Sequence, residues 1–395
     1  MSNGVVISSG VRTAIGSFGG SLSGLSPTEL GAKCVKEALR RASLNGDAVG
    51  HVVFGNVILT ESKDAYLARV AAMHGGIPEQ VPAMTLNRLC GSGVQAIISA
   101  AQSIMLGDTD VAVAGGAECM SRSPHLVHAA RFGQKMGDVA IKDHLTGILT
   151  DPFGHGIMGV TAENVAVKWK ITRKDQDDFA LESQRRAVRA ISEGRFASQI
   201  LPVEVSLGRQ KVLFSKDEYP KSDANADAMA ALRPLFRKDG TVTAGNASGV
   251  NDGAAVVVLV DERRAKAEGL PVLAKIVGYA HAGVNPSEMG IGPVPAVRQL
   301  LSRTGLKIAD FDVIESNEAF AAQACAVSNE LGFAAGKVNP NGGAIALGHP
   351  VGATGTMLTI KAAYELERIE GRLALVTMCI GGGQGIALAI SRPEH

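Results

Sequence analysis

The sequence predicts an α/β protein made of two related halves, with a long insertion in the first. Three observations carry this. Short apolar runs of strand character alternate with segments of helical period. Stretches far apart in the chain correspond at a nearly constant offset. A polar, basic stretch interrupts the first copy.

The elements follow in order. Ser26-Pro27-Thr28-Glu29 reads as a helix start: Ser26 caps, Pro27 takes the first helical position and Glu29 closes a capping box. Leu30, Cys34, Val35, Ala38 and Leu39 give the apolar stripe, and Asn45-Gly46 is expected to stop the helix. Val52-Val53-Phe54 follows as a buried strand. Residues 93–106 form a second helix, with Val94, Ile97, Ile98, Ala101 and Ile104 inward and Gly107 at its end. Residues 111–114 form the next strand. This alternation predicts a mostly parallel sheet covered by helices.

Residues 51–56 correspond to 312–317 at an offset of 261. Gly91-Ser92-Gly93 and residues 110–114 correspond to Ala353-Thr354-Gly355 and 372–376 at an offset of 262. Two such halves would face each other and form a site between them. Residues 121–248 break the pattern, holding 19 of the 39 Lys and Arg against 15 Asp and Glu. Thr172 with Asp175 caps a helix there that ends at Gly194, and residues 216–227 are polar and irregular. The expected organisation is a first half over 1–120 completed by 249–270, an inserted subdomain over 121–248, and a second half over 271–395.

Composition narrows the function classes. Of 395 residues, 46% are apolar, and the net charge is +1, which gives no general pull toward nucleic acid or an anionic membrane. No apolar stretch is expected to reach the ~18 residues of a membrane span. The first eleven residues hold no Lys or Arg, unlike a signal peptide, so a cytoplasmic protein is expected. Five cysteines, odd in number and without Cys-x-x-Cys, argue against a disulfide framework or a zinc knuckle.

Three glycine-rich segments carry the chemistry. In Asn87-Arg88-Leu89-Cys90-Gly91-Ser92-Gly93, Cys90 lies just ahead of a helix N-terminus, where free N–H groups favour a thiolate. A buried structural cysteine is the alternative. His349, in Gly348-His349-Pro350, lies three residues before Gly352, the counterpart of Cys90. It could face Cys90 across the interface as its base, or merely close a loop. Cys379 precedes Gly381-Gly382-Gly383. A thiol there can move a proton, and the glycines can offer N–H groups to an oxyanion. A phosphate cradle is the rival reading, but no helix with a Lys follows, which excludes a P-loop. Asn317 ends the strand at Val313-Ile314, where sites collect in α/β sheets, and would also cap a helix.

Taken together, the Cys90 segment, Asn317-Glu318-Ala319-Phe320, Gly348-His349-Pro350 and Cys379-Ile380-Gly381-Gly382-Gly383 resemble the thiolase family over essentially the whole chain. The resemblance is to bacterial acetoacetyl-CoA and 3-ketoacyl-CoA thiolases of the biosynthetic type, including those that supply polyhydroxyalkanoate synthesis. It implies a five-layered αβαβα fold. It implies acetyl-CoA, CoA and 3-ketoacyl-CoA as substrates, with no metal and no separate cofactor. Cys90 would carry the acyl group, with His349 activating it. His349, and Asn317 through an ordered water, would hold a thioester oxygen. Cys379 would move the α-proton, and the N–H groups of Cys90 and Gly381 would form a second oxyanion hole. Ser248 would contact the pantetheine of CoA, Lys221 would lie near its phosphate, and Met158 and Phe320 would line the acyl end.

Residues 122–138 match the loop through which such enzymes form homotetramers. One departure is Ile157, where many relatives have a histidine that bonds the pantetheine. His155 is the nearest substitute. Degradative thiolysis in fatty-acid or aromatic catabolism is the alternative within the family. A condensing enzyme acting on an acyl carrier protein would have His or Asn in place of Cys379. A non-catalytic acyl-CoA or lipid carrier would not need all of Cys90, Asn317, His349 and Cys379.

Overall fold

The computed structural model describes residues 4–393. At its centre is an eleven-stranded mixed sheet. Nine strands form the main path: β1 (Val5–Thr13), β2 (His51–Gly55), β3 (Ala83–Leu86), β4 (Val111–Cys119), β5 (Asn251–Asp261), β6 (Ala274–Gly283), β7 (Val313–Ser316), β8 (Leu373–Ile380) and β9 (Gln384–Ser391). Their spatial order is β7-β8-β9-β6-β1-β5-β4-β2-β3. The order is mirrored about the contact of β6 with β1, as two copies of one unit require. That contact is slight: Val6 pairs with Lys275 and Ile7 with Ala274. The sheet is therefore two half-sheets joined at an edge.

The expectation of a mostly parallel sheet is corrected. β2 runs parallel to β3 and β4, and β7 to β8. The pairs β4–β5, β5–β1, β8–β9 and β9–β6 are antiparallel. β4, β5 and β8 are buried along their whole length. Such strands read as continuous apolar runs whichever way their neighbours point, so the pattern did not carry direction.

The principal helices are α1 (Pro27–Arg41), α2 (Leu67–His74), α3 (Ser92–Leu106), α4 (Met158–Lys168), α5 (Arg173–Ser192), α6 (Pro293–Thr304), α7 (Ala321–Leu331) and α8 (Val351–Arg368). α1 and α2 cover one half-sheet, α6 covers the other, and α3 and α8 lie between them. This is the five-layered αβαβα arrangement. The repeat glycines allow α3 and α8 to meet. A Cβ on Gly93 would lie 2.5 Å from the Thr356 nitrogen, and one on Gly355 2.4 Å from that of Val94. Ser26 caps α1 with the expected capping box, but the helix stops at Arg41, and Ser43 turns the chain at φ +57° ahead of Asn45.

Leu89–Leu106 corrects a second expectation, because this 18-residue stretch is apolar and long enough to cross a bilayer by those criteria alone. Val94, Ile97, Ile98, Ala101 and Ile104 are completely buried in the protein, as in a core helix. In the inserted stretch, α4 and α5 accompany short strand pairs. Arg12 of β1 anchors it. The buried guanidinium makes two bonds to Asp217, at 2.7 and 3.0 Å, and lies 5.0 Å over the Phe196 ring. Removing one partner of such a pair strands a buried charge, which costs about 3–5 kcal/mol.

Candidate active site

Cys90 lies in the bend between β3 and α3. Asn87 Oδ1 accepts from the Leu89 N–H at 2.8 Å. Ser92 Oγ accepts from the Arg88 N–H at 2.8 Å and donates to the Leu89 carbonyl at 2.7 Å. These bonds hold Leu89 at φ +47°, a conformation that costs a non-glycine residue roughly 1–3 kcal/mol. The thiol is thus presented by a bend that its own side chains enforce. The residue as a whole is half-buried, while its sulfur is enclosed and faces the N–H of Gly381 and its own N–H.

Gly381-Gly382-Gly383 is the hairpin turn between β8 and β9, where Ile380 pairs with Gln384. Gly382 and Gly383 have φ of +78° and +84°. A Cβ on Gly383 would strike the Val284 carbonyl at 2.4 Å. The run is therefore glycine for the turn, while the Gly381 N–H is aimed at sulfur.

His349 comes from the second half. Gly348, at φ +107°, lets the loop press on Asn251, whose Oδ1 accepts the His349 N–H at 2.9 Å. The imidazole Nδ1 lies 2.7 Å from Thr354 Oγ1, and Nε2 lies 3.4 Å from Asn317 Nδ2. Burial pushes the imidazole down to about 4, so it is neutral at pH 7. Asn317 follows β7, and its N–H donates to the Thr377 carbonyl at 2.9 Å. Its Oδ1 is buried and has no partner among the described residues, an acceptor for a water or ligand to meet.

Cys379 is the penultimate residue of β8. It is fully buried and packs with Met289, Ala319, Met158 and Phe320. Burial, reinforced by neighbouring Cys90, pushes its thiol far above the ordinary range. Cys90, His349, Cys379 and Gly381 line one cavity of about 290 Å³, together with Ser248, Met158 and Phe320. Ile157 is in its wall and His155 is not. Lys221 lies in a second cavity of about 210 Å³, which shares Tyr219 and Ala244 with the first. The two adjoin at these shared residues.

The expected thiolate at Cys90 is corrected. Burial pushes the thiol up to about 11, and the N–H groups of Gly381 and Cys90 only partly offset this. At rest both cysteines hold their protons, and Cys90 needs its base. Sequence reasoning also passed over Asn251, Thr354, Tyr219 and Glu118. Thr354 stood inside the repeat, at the counterpart of Ser92, and Glu118 was the one acid in an otherwise apolar strand. Asn251 and Tyr219 carried no local signal.

Chemically, the site can take an acyl group onto sulfur and hand it on; the class it defines is the cysteine-dependent acyltransferases. Within that class the chain belongs to the thiolase family. Residues 5–263 match the family model for the thiolase N-terminal domain, and residues 270–392 the thiolase C-terminal domain. The beta-ketothiolase BktB of Cupriavidus necator is 60% identical over 394 residues, covering 99% of this chain and 100% of that protein. The acetyl-CoA acetyltransferase of Escherichia coli K12 is 48% identical over 395 residues, with coverage of 99% and 100%. Among solved structures, the Bacillus anthracis acetyl-CoA acetyltransferase superposes with a TM-score of 0.97 at 46% identity, covering 99% of each chain. Human mitochondrial 3-ketoacyl-CoA thiolase in complex with CoA gives 0.96 at 43% identity, covering 99% of this chain and 98% of that one.

Proposed function

We propose that the protein is an acetyl-CoA C-acyltransferase. It cleaves 3-ketoacyl-CoA with CoA and, in reverse, condenses acetyl-CoA with acetyl-CoA or a short acyl-CoA. The observation that carries this is the meeting of two cysteines and one histidine in a single apolar cavity, with the Gly381 N–H turned toward Cys90. In thiolysis, His349 takes the Cys90 proton as sulfur attacks the C3 carbonyl. The C2–C3 bond breaks, and the departing carbanion of acetyl-CoA takes a proton from Cys379. CoA thiol then gives its proton to Cys379, CoA sulfur displaces the acyl group from Cys90, and His349 returns its proton to the Cys90 sulfur as it leaves. Each step neutralises the charge the previous one creates, and the N–H pair stabilises the oxyanion between them.

Ser248 and Tyr219 lie along the path a pantetheine arm would follow, with Lys221 at its outer end as a phosphate contact. CoA thioesters serve as substrates, and the chemistry calls for no separate cofactor. The exposed Phe132 and Met136 in the 122–138 loop, 91% and 88% accessible, support a homotetramer formed through that loop. The reading is tested by mixing the protein with acetyl-CoA and mapping the product by mass spectrometry. An acetyl group on Cys90, discharged by added CoA, is expected. An enzyme that never acquires it would be a carrier instead.

A further inference from the structure

Glu118 is the penultimate residue of β4 and is completely buried. Four neutral donors reach its carboxylate. Oε1 accepts from Asn56 Nδ2 at 3.1 Å and the Ile58 N–H at 3.0 Å. Oε2 accepts from the Val57 N–H at 3.0 Å and the Gly352 N–H at 2.9 Å. Burial pushes the Glu118 carboxyl up to about 8, against the pull of the Ile58, Val57 and Gly352 N–H groups. The geometry favours the ionised, acceptor-only form, since a protonated acid would turn an O–H toward one of the four donors.

Three of the donors belong to the first half, and the fourth, Gly352, lies in the first turn of α8 in the second. Pro350, at the N-cap of α8, offers no side-chain cap. Glu118 supplies one from across the interface, where a helix N-terminus favours negative charge. His349 immediately precedes this turn, and Thr354, which holds the imidazole, lies within it. The fit is tight: a Cβ on Gly352 would lie 2.5 Å from Glu118 Oε2. By the offset of 262, Gly352 is the counterpart of Cys90. One copy of the repeat keeps a thiol at this point, and the other keeps the one residue that lets the carboxylate close in.

We propose that Glu118 is a positioning residue for acyl transfer, clamping the first turn of α8 so that His349 meets Cys90 across the interface between the halves. This rests on Cys90 as nucleophile and His349 as its base. Glu118→Gln turns an amide NH2 toward one of the four donors. The kcat for acetoacetyl-CoA thiolysis should fall about 10- to 100-fold, with KM changed less than about two-fold. In a His349→Ala background the same substitution should cost the rate of Cys90 acetylation nothing further, because the residue acts through His349. An additive loss in that background, or an unchanged kcat in the single variant, overturns the proposal. If Glu118→Gln fails to fold, Asn56→Ala removes one side-chain donor, with its second bond to the Ala117 carbonyl, and leaves the three backbone donors to Glu118 in place. It should show the same non-additive pattern on a smaller scale, and an additive loss overturns the proposal equally. A wild-type enzyme that never acetylates Cys90 would instead refute the functional reading, so the two failures are distinct.

Discussion

Thr354 fixes the tautomer of His349. Its hydroxyl lies 2.8 Å from the Pro350 carbonyl and 2.7 Å from the imidazole Nδ1. With its one proton given to the carbonyl it accepts from the ring, and the Asn317 Nδ2 donor beside Nε2 selects the same tautomer. Nδ1 therefore carries the proton, and Nε2 presents a lone pair toward Asn317 Nδ2 and the cavity. A base at Nε2 is what the Cys90 thiol requires. Thr354→Ala should release the ring and lower kcat about 10- to 100-fold with little change in KM, whereas Thr354→Ser should keep nearly full activity. Steady-state thiolysis of acetoacetyl-CoA distinguishes them. Equal losses in both variants would mean that the methyl group, not the hydroxyl, matters.

Cys379 should be separable from Cys90 by the step each serves. With Cys379→Gly, the enzyme should still accept an acetyl group on Cys90 from acetyl-CoA, more slowly, because the departing CoA thiolate is a good leaving group that depends less on the proton Cys379 would return to it. Condensation and thiolysis should drop by about 10²–10⁴-fold, the usual range for losing a general acid–base. Single-turnover acetylation followed by mass spectrometry measures the first, and steady-state assays the second. Loss of acetylation in this variant would assign Cys379 to the nucleophile step.

The pH dependence follows from burial. In the native state His349 titrates near 4, against about 6.5 for a free imidazole. Between those values the unfolded chain binds the proton and the native state does not, so this residue's contribution to stability is complete above about pH 6.5 and is lost as pH falls toward 4. Thermal unfolding from pH 7.5 to 4.5 should show a falling Tm, with a shallower slope in His349→Ala. Activity should show no acid limb near 6.5. At the other end, alkylation of Cys90 by iodoacetamide in the free enzyme should keep accelerating above pH 9, since its thiol lies near 11. A plateau near pH 7 would indicate a preformed thiolate.

What was legible in the sequence was local. The Ser26 capping box, the bend at Cys90 and the glycine turn after Cys379 are decided by neighbours along the chain. The duplication was legible too, and it placed His349 opposite Cys90. Strand direction was not, because strands buried on both faces lose their alternation. The thiol of Cys90 was misjudged for a related reason. A helix N-terminus is visible in sequence, but the closed apolar walls that outweigh it come from Met289, Phe320 and Val351, far along the chain. Glu118 escaped notice because its four donors come from two halves separated by more than two hundred residues.

Ile157 offers a gain-of-function test. It stands at the N-cap of α4, in the wall of the catalytic cavity, where the family resemblance leads one to expect a histidine. His155 is not in that wall, so on the proposed pantetheine path it would not supply that hydrogen bond. Restoring one such bond to a neutral group is worth about 0.5–1.5 kcal/mol, or roughly a 2- to 10-fold change in affinity. Ile157→His should therefore lower the KM for CoA by that factor and leave kcat nearly unchanged, because the contact lies on the arm of the substrate and acts equally in ground and transition states. A fall in kcat without a change in KM would show instead that the isoleucine shapes the acyl end of the cavity, where Met158 and Phe320 lie beside Cys379.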